Sequence, residues 1–232
     1  MLEVPPLLTI RRDFHRPDSK KLEKLRGALT GNIADCLGGR ASLGTGIKPL
    51  SIATKNMQSV IGSAITCYNA PTDQLGVVGA LTEAREGDVV VASTEGCTST
   101  AVVGDLMLGI ANNIGVAGVV TDGAVRDVNG ILKVEIPIFC SGVNPDSPSR
   151  TGPGHVGFPV VIGNRTIHSG DIIIGDTDGV VVVPQQELDF VIDKLELVQA
   201  SESEMESKVE NGLKIPDSWR NILNSDRTKY LD

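Results

Sequence analysis

Apolar residues fall along this chain in two rhythms. Unbroken runs of mostly β-branched residues, at Val89–Ala92, Ile172–Ile174 and Val180–Val183, read as strands buried on both faces. Two units of strand followed by helix open the pattern: Val60–Tyr68 into a helix from Thr72 to Ala84, then Asp88–Ser93 into helical sequence from about Thr98 to Asn113. After a strand at Val116–Thr121 the character changes to short strands at Ile136–Cys140, Val160–Ile162, Thr166–His168, Asp171–Gly175 and Gly179–Val183. Gly163-Asn164 is the expected hairpin turn, and Pro184 closes the sheet region. From Gln186 to about Glu210, Leu188, Val191, Ile192, Leu195 and Val198 form an apolar stripe at helical spacing. Upstream, Asp18 or Ser19 is positioned to cap a helix through Leu29, and Asn32 a second short helix ending at Gly38-Gly39. The pattern predicts an α/β protein with one compact domain over residues 18–210, an extended arm over 1–17, and a polar tail over 211–232 lying on the surface or on a neighbour.

Composition narrows the classes. With 232 residues, 41% of them hydrophobic, the chain can bury one sizeable core, and with 3% aromatics that core must be aliphatic. A net charge of −8 argues against nucleic acid as a direct partner, because phosphate neutralisation requires a basic surface. No stretch is apolar enough to span a membrane, and Glu3, Pro5 and Pro6 stand where a signal peptide would be apolar, so the cytosol is the expected address. The four cysteines, Cys36, Cys67, Cys97 and Cys140, show no metal-ligand spacing and read as small hydrophobes.

One constellation carries chemistry. Gly104-Asp105 precedes a helix that Gly115 turns into the strand Val116–Thr121, so the helix N-terminus and the C-terminal end of that strand should share one edge of the sheet. Asp122 through Asp127 begins there, which makes Asp105 and Arg126 spatial neighbours across twenty intervening residues. That edge combines the free amides of Leu106 and Met107, the positive end of a helix dipole, a guanidinium and two carboxylates. It suits a small carboxylate and a hard divalent metal, since Arg126 can grip a carboxylate at two points and Asp127 offers the oxygen ligand that magnesium uses sparingly.

At these residues the chain resembles a known family. Gly104-Asp105, twenty residues, then Arg126-Asp127 within Val119–Asp127 is similar to the signature of the 4-hydroxy-4-methyl-2-oxoglutarate/4-carboxy-4-hydroxy-2-oxoadipate aldolases and the regulator of ribonuclease activity A proteins. Asn32–Gly38, Gly62–Cys67, and Ser169–Ile172 through Asp176–Pro184 follow in family order, so the resemblance spans about residues 25–210. It implies layered sheets and helices in a swivelling β/β/α fold, and a lyase dependent on Mg2+ or Mn2+ that acts on a pyruvate-containing 2-oxo acid as aldolase and oxaloacetate decarboxylase. Residue by residue it implies that Asp127 anchors the metal, Arg126 holds the keto acid and stabilises enolate charge, and Asp105 positions metal-bound water. Gly104 and the amides of Leu106 and Met107 would bind the pyruvyl carboxylate. It further implies a homotrimer or homohexamer, with Glu206 as an acid lent to a neighbouring subunit. The residues after Asp127 are Val128-Asn129-Gly130, so an acid sometimes found shortly after the motif is absent.

Other features read more plainly. Gly152–Gly157 satisfies a G-x-G-x-x-G pattern but contains Pro153 and precedes strand-like Phe158–Ile162, so it is expected to be a loop, with His155 part of it. Asp176 and Asp178 are expected to fix turns, and Glu202, Glu204 and Glu206 by default form a solvated helix face. The lysines at 20, 21, 24, 194 and 208 sit on polar helical faces, which disfavours a Schiff-base aldolase. The rival reading is a non-catalytic protein that binds and inhibits an endoribonuclease. No cofactor loop supports a methyltransferase.

Overall fold

The computed structural model describes residues 4, 6–50, 59–134 and 136–231. Its centre is a sheet in the order β1 (Leu8–Ile10), β10 (Gly154–Val156), β3 (Val60–Asn69), β4 (Asp88–Ser93), β6 (Gly118–Thr121), β8 (Ile138–Cys140) and β2 (Lys48–Pro49), onto which β13 (Ile172–Asp176) and β14 (Gly179–Val183) are paired through β3. The middle strands β3, β4, β6 and β8 run parallel. Helices α3 (Leu75–Glu83), α4 (Asp105–Ile114) and α5 (Val128–Val134) lie in the connections between them. Strand alternation sorts side chains between two cores: Val90 and Ala92 of β4 join Ile65, Cys67 and Leu108, while Val89 and Val91 join Ala64, Phe139 and Val160 on the other face. A central strand buried on both sides needs apolar residues throughout, which is why its run shows no polar interruption.

The antiparallel pair β13 (Ile172–Asp176) and β14 (Gly179–Val183) faces two ways. Ile173, Val180 and Val182 enter the second core, while Ile172, Ile174, Val181 and Val183 meet Ile33 of α2 (Thr30–Cys36) and Leu188, Val191 and Leu195 of α6 (Leu188–Glu210). The helical stripe expected from Leu188 to Val198 is therefore the docking face of α6. Beyond it, residues 199–210 of the helix are exposed throughout. The hairpin of β11 (Val160–Ile162) and β12 (Arg165–Ile167) turns at Gly163-Asn164, both at positive φ, as expected.

The N-terminal residues are extended and built into the body. β1 (Leu8–Ile10) pairs in parallel with β10 (Gly154–Val156), Arg12 grips Glu83 with a closest approach of 2.8 Å, and Arg16 reaches Asp88 at 2.8 Å where β4 begins. Four expectations change. Gly154–Val156, expected as loop, is a strand because β1 and β3 bracket it and supply backbone partners on both sides. The helix expected from Thr98 begins only at Asp105, since Ala101–Val103 forms β5. Helix α1 (Ser19–Glu23), capped by Asp18, stops well short of Leu29, and the chain turns at Gly27, φ 79°. Helix α2 starts at Thr30, not after Asn32, because Asp176 supplies its cap: the Thr30 amide and hydroxyl each donate to that carboxylate at 2.8 Å. Asp176 also accepts from the Asp178 amide at 2.9 Å, fixing the β13–β14 turn as expected.

Candidate active site

Each of β4, β6 and β8 leads, past a short loop, into a strand of a second parallel sheet, β5 (Ala101–Val103), β7 (Ala124–Val125) and β9 (Gly142–Val143). This small sheet brings the distant motifs together. Ala101 pairs with Ala124 and Val103 with Val125, and the Arg126 amide donates to the Val103 carbonyl at 3.0 Å. Arg126 is thereby held beside Gly104, the residue that opens α4. Asp105 and Arg126 are neighbours as expected, but β5–β7 pairing holds them, rather than the edge of β6 alone.

Asp127 follows at φ 62°, a left-handed conformation that costs a non-glycine residue free energy and is tolerated where the surroundings enforce it. Its carbonyl accepts from Gly130 and Ile131 at 2.8 and 3.0 Å, so Asp127 opens α5. Its carboxylate lies 3.4 Å from Arg126 Nε, and Arg126 Nη1 donates to Ser147 Oγ. Two glycines leave the room these carboxylates occupy. A Cβ on Gly104 would stand 2.9 Å from Asp127 Oδ2, and one on Gly130 would stand 2.1 Å from Asp105 Oδ2. The position where an acid was expected to be missing is thus where Asp105 needs space.

Gly104, Asp105, Leu106, Met107, Arg126 and Asp127 line one cleft of about 80 Å³. Larger grooves exist, including one of about 460 Å³ beside Leu25–Leu29, but none gathers this set of cations, carboxylates and free amides. Within the cleft one expected donor is already engaged: the Leu106 amide donates to Asp105 Oδ1 at 2.7 Å. For a ligand carboxylate to use both amides, the Asp105 side chain must rotate away. Glu206 does not line the cleft and lies on the exposed half of α6. His155 is also elsewhere, stacked on Tyr68 with ring centroids 5.7 Å apart.

Among the described residues no three acidic, cysteine or histidine side chains converge as a metal cage. The donor set still fits magnesium, which keeps most of its shell as water or substrate oxygen and takes one or two protein carboxylates. The Asp127 side chain, 48% exposed, presents such an oxygen to the cleft.

Five lining residues were not legible in the sequence: Gln74, Ala101, Val103, Pro148 and Arg150. The segment that carries Arg150 is clamped by Asp73, which is buried and accepts from Ser149 Oγ at 2.6 Å and from the Leu75, Thr151 and Gly152 amides at 2.7, 2.6 and 3.0 Å. Burial alone would raise this carboxyl; the hydrogen bonds outweigh it and hold it below the usual carboxylate range. No motif pointed to Arg150, an arginine in a Pro/Ser-rich connection.

The sequence matches the family described as RraA-like, Aldolase/RraA, over residues 30–182. The chain belongs to that family. It is 38% identical over 181 residues to a protein of Halalkalibacterium halodurans provisionally named 4-hydroxy-4-methyl-2-oxoglutarate aldolase, covering 78% of this chain and 84% of the other. Among solved structures it is similar to a Pseudomonas syringae protein, with TM-score 0.75 and 26% identity over 87% of this chain and 97% of that one. It also superimposes on Streptomyces coelicolor RraAS2, described as an unusual member of the RNase ES inhibitor RraA family, with TM-score 0.71 and 26% identity over 84% and 100% of the two chains. The names of these relatives thus point two ways, to an aldolase and to an RNase inhibitor.

Proposed function

We propose that the protein is a divalent-metal-dependent lyase that cleaves a carbon–carbon bond of a pyruvate-containing 2-oxo acid, as an aldolase with oxaloacetate decarboxylase activity. The observation that carries this reading is the convergence of Asp105, Arg126, Asp127 and the first amides of α4 on one cleft. The name of the H. halodurans relative points the same way.

The first turn of α4 binds the pyruvyl carboxylate through the Met107 amide, joined by the Leu106 amide once Asp105 rotates, with the helix dipole favouring the negative charge. Arg126, fixed by its backbone bond to Val103 and by Ser147, faces the 2-oxo group and stabilises the negative charge that builds on it as the C3–C4 bond breaks. Asp105, freed from the Leu106 amide, holds a water that takes the proton of the C4 hydroxyl as the C3–C4 bond of the aldol breaks and returns one to C3 of the resulting enolate. Asp127 would hold Mg2+ or Mn2+, which supplies Lewis acidity toward the 2-oxo group. Glu206 is proposed as an acid presented to a neighbouring subunit in a trimer or hexamer, in keeping with its exposure on α6.

The test is pyruvate release from 4-hydroxy-4-methyl-2-oxoglutarate and from oxaloacetate, each with magnesium, with chelator, and with Asp127→Ala. Release that stops with chelator and falls at least about hundredfold in the variant is the expected result. Release that persists in chelator sinks the metal assignment. No release from either substrate would favour the second reading, an endoribonuclease regulator, which draws on the likeness to RraAS2 and the acidic net charge of −8.

A further inference from the structure

The cleft holds a second guanidinium whose charge the described residues do not compensate. Arg126 has Asp127 at 3.4 Å, but no carboxylate of the described residues lies within ion-pair distance of Arg150. Its partner is neutral. In the amide orientation that gives both groups a partner, the Gln74 side-chain oxygen accepts from Arg150 Nε at 2.6 Å and from Nη2 at 3.0 Å. Gln74 is buried, with 6% exposure, and lies next to Asp73. Asp73 in turn anchors Ser149, Thr151 and Gly152, on either side of Arg150. Arg150 is exposed, and solvation alone would leave its side chain free; the buried Gln74 amide orients it and the buried Asp73 carboxylate pins its flanks.

The geometry also says which edge is free. A guanidinium presents five N–H groups in a planar fork, and Gln74 occupies the side edge. The outer edge of Nη1 and Nη2 is left, the edge that meets a carboxylate at two points. We propose that Arg150 is the specificity-determining residue of this cleft, receiving a second carboxylate at the end of the substrate remote from the pyruvyl group, and that Gln74 is its positioning residue. The identity of the near end rests on the lyase reading; the anion anchor itself does not. Arg126 and Arg150 then divide the work, one at the reacting carbonyl and the other at the far carboxylate.

The experiment compares two ligands of equal chain length, 2-oxoglutarate and 2-oxopentanoate, by titration calorimetry against the full chain with magnesium present. The wild type is expected to bind 2-oxoglutarate at least about tenfold more tightly, as one charge-assisted bidentate contact allows. That ratio falls below about threefold in Arg150→Gln, is partly restored in Arg150→Lys, and is intermediate in Gln74→Leu. A wild-type ratio near one, or a ratio that survives Arg150→Gln, overturns the proposal. The lyase reading is followed separately, by exchange of pyruvate methyl protons with deuterated solvent. If exchange is absent while the ratio behaves as expected, the lyase reading fails and the anchor stands.

Discussion

At the scale of single residues, the chemistry was legible where it was carried by short strings. Gly104-Asp105 was read at the opening of a helix and Arg126-Asp127 just beyond the end of a strand, and the structure keeps both at one cleft, with an unforeseen helix, α5, opening after Asp127. Arg150 and Gln74 were not legible, because they meet across 76 residues through the Asp73 clamp, and nothing local marks either one. Gly104 was expected to bind substrate and Gly130 only to mark a missing acid, whereas at the cleft both act by lacking a side chain. Gly104→Ala places a methyl 2.9 Å from Asp127 Oδ2 and 3.4 Å from Arg126 Cγ, so both groups must shift. The backbone at Gly104 has φ −127°, which alanine adopts freely, so folding should survive. Displacement of a positioned group by a fraction of an ångström is expected to lower kcat/KM by about hundredfold. Kinetics together with a thermal melt check this; a large loss of Tm, or full activity, would count against it.

At the scale of elements, the strands buried on both faces were the most readable, since β4, β13 and β14 follow directly from unbroken apolar runs. The two- and three-residue strands β5, β7, β9 and β10 were not, because pairing with distant partners defines them rather than their own composition. The connection from Pro148 to Gly152 is of the same kind: Asp73 organises it from the start of α3. Because Asp73 is held below its ordinary pKa in the fold, it contributes stability above the unfolded-state pKa, and that contribution fades as pH falls toward the folded value. Asp73→Asn keeps the shape but turns an amide donor toward backbone donors, and should cost about 2–3 kcal/mol at neutral pH. Denaturant titrations at neutral pH and below pH ~3.5 are the check. The two proteins should converge in acid; an equal gap at both pH values would remove the carboxylate from this role.

At the scale of the whole molecule, the accessible surface of 13106 Å² exceeds the about 10,000 Å² expected of a compact monomer of this size. The exposed half of α6 and helix α7 (Asp217–Leu223) contribute to that excess, and Trp219, Ile222, Leu223, Tyr230 and Leu231 lie on the surface there. Several exposed apolar groups in one short segment are the composition of a partner surface. Deleting residues 211–232 is expected to reduce the mass measured by light scattering from that of the trimer or hexamer proposed above; an unchanged mass would mean that the tail has no part in assembly. The cleft has its own division of support. Its Arg126 half hangs on the small sheet between residues 101 and 127 and on Ser147, while Gln74 and Arg150 hang on the Asp73 clamp. On the lyase reading proposed above, drift confined to the 148–152 connection would change which acid is accepted while leaving Asp105, Arg126 and Asp127 in place, so one ancestral reaction could be inherited intact while the menu of substrates diversifies.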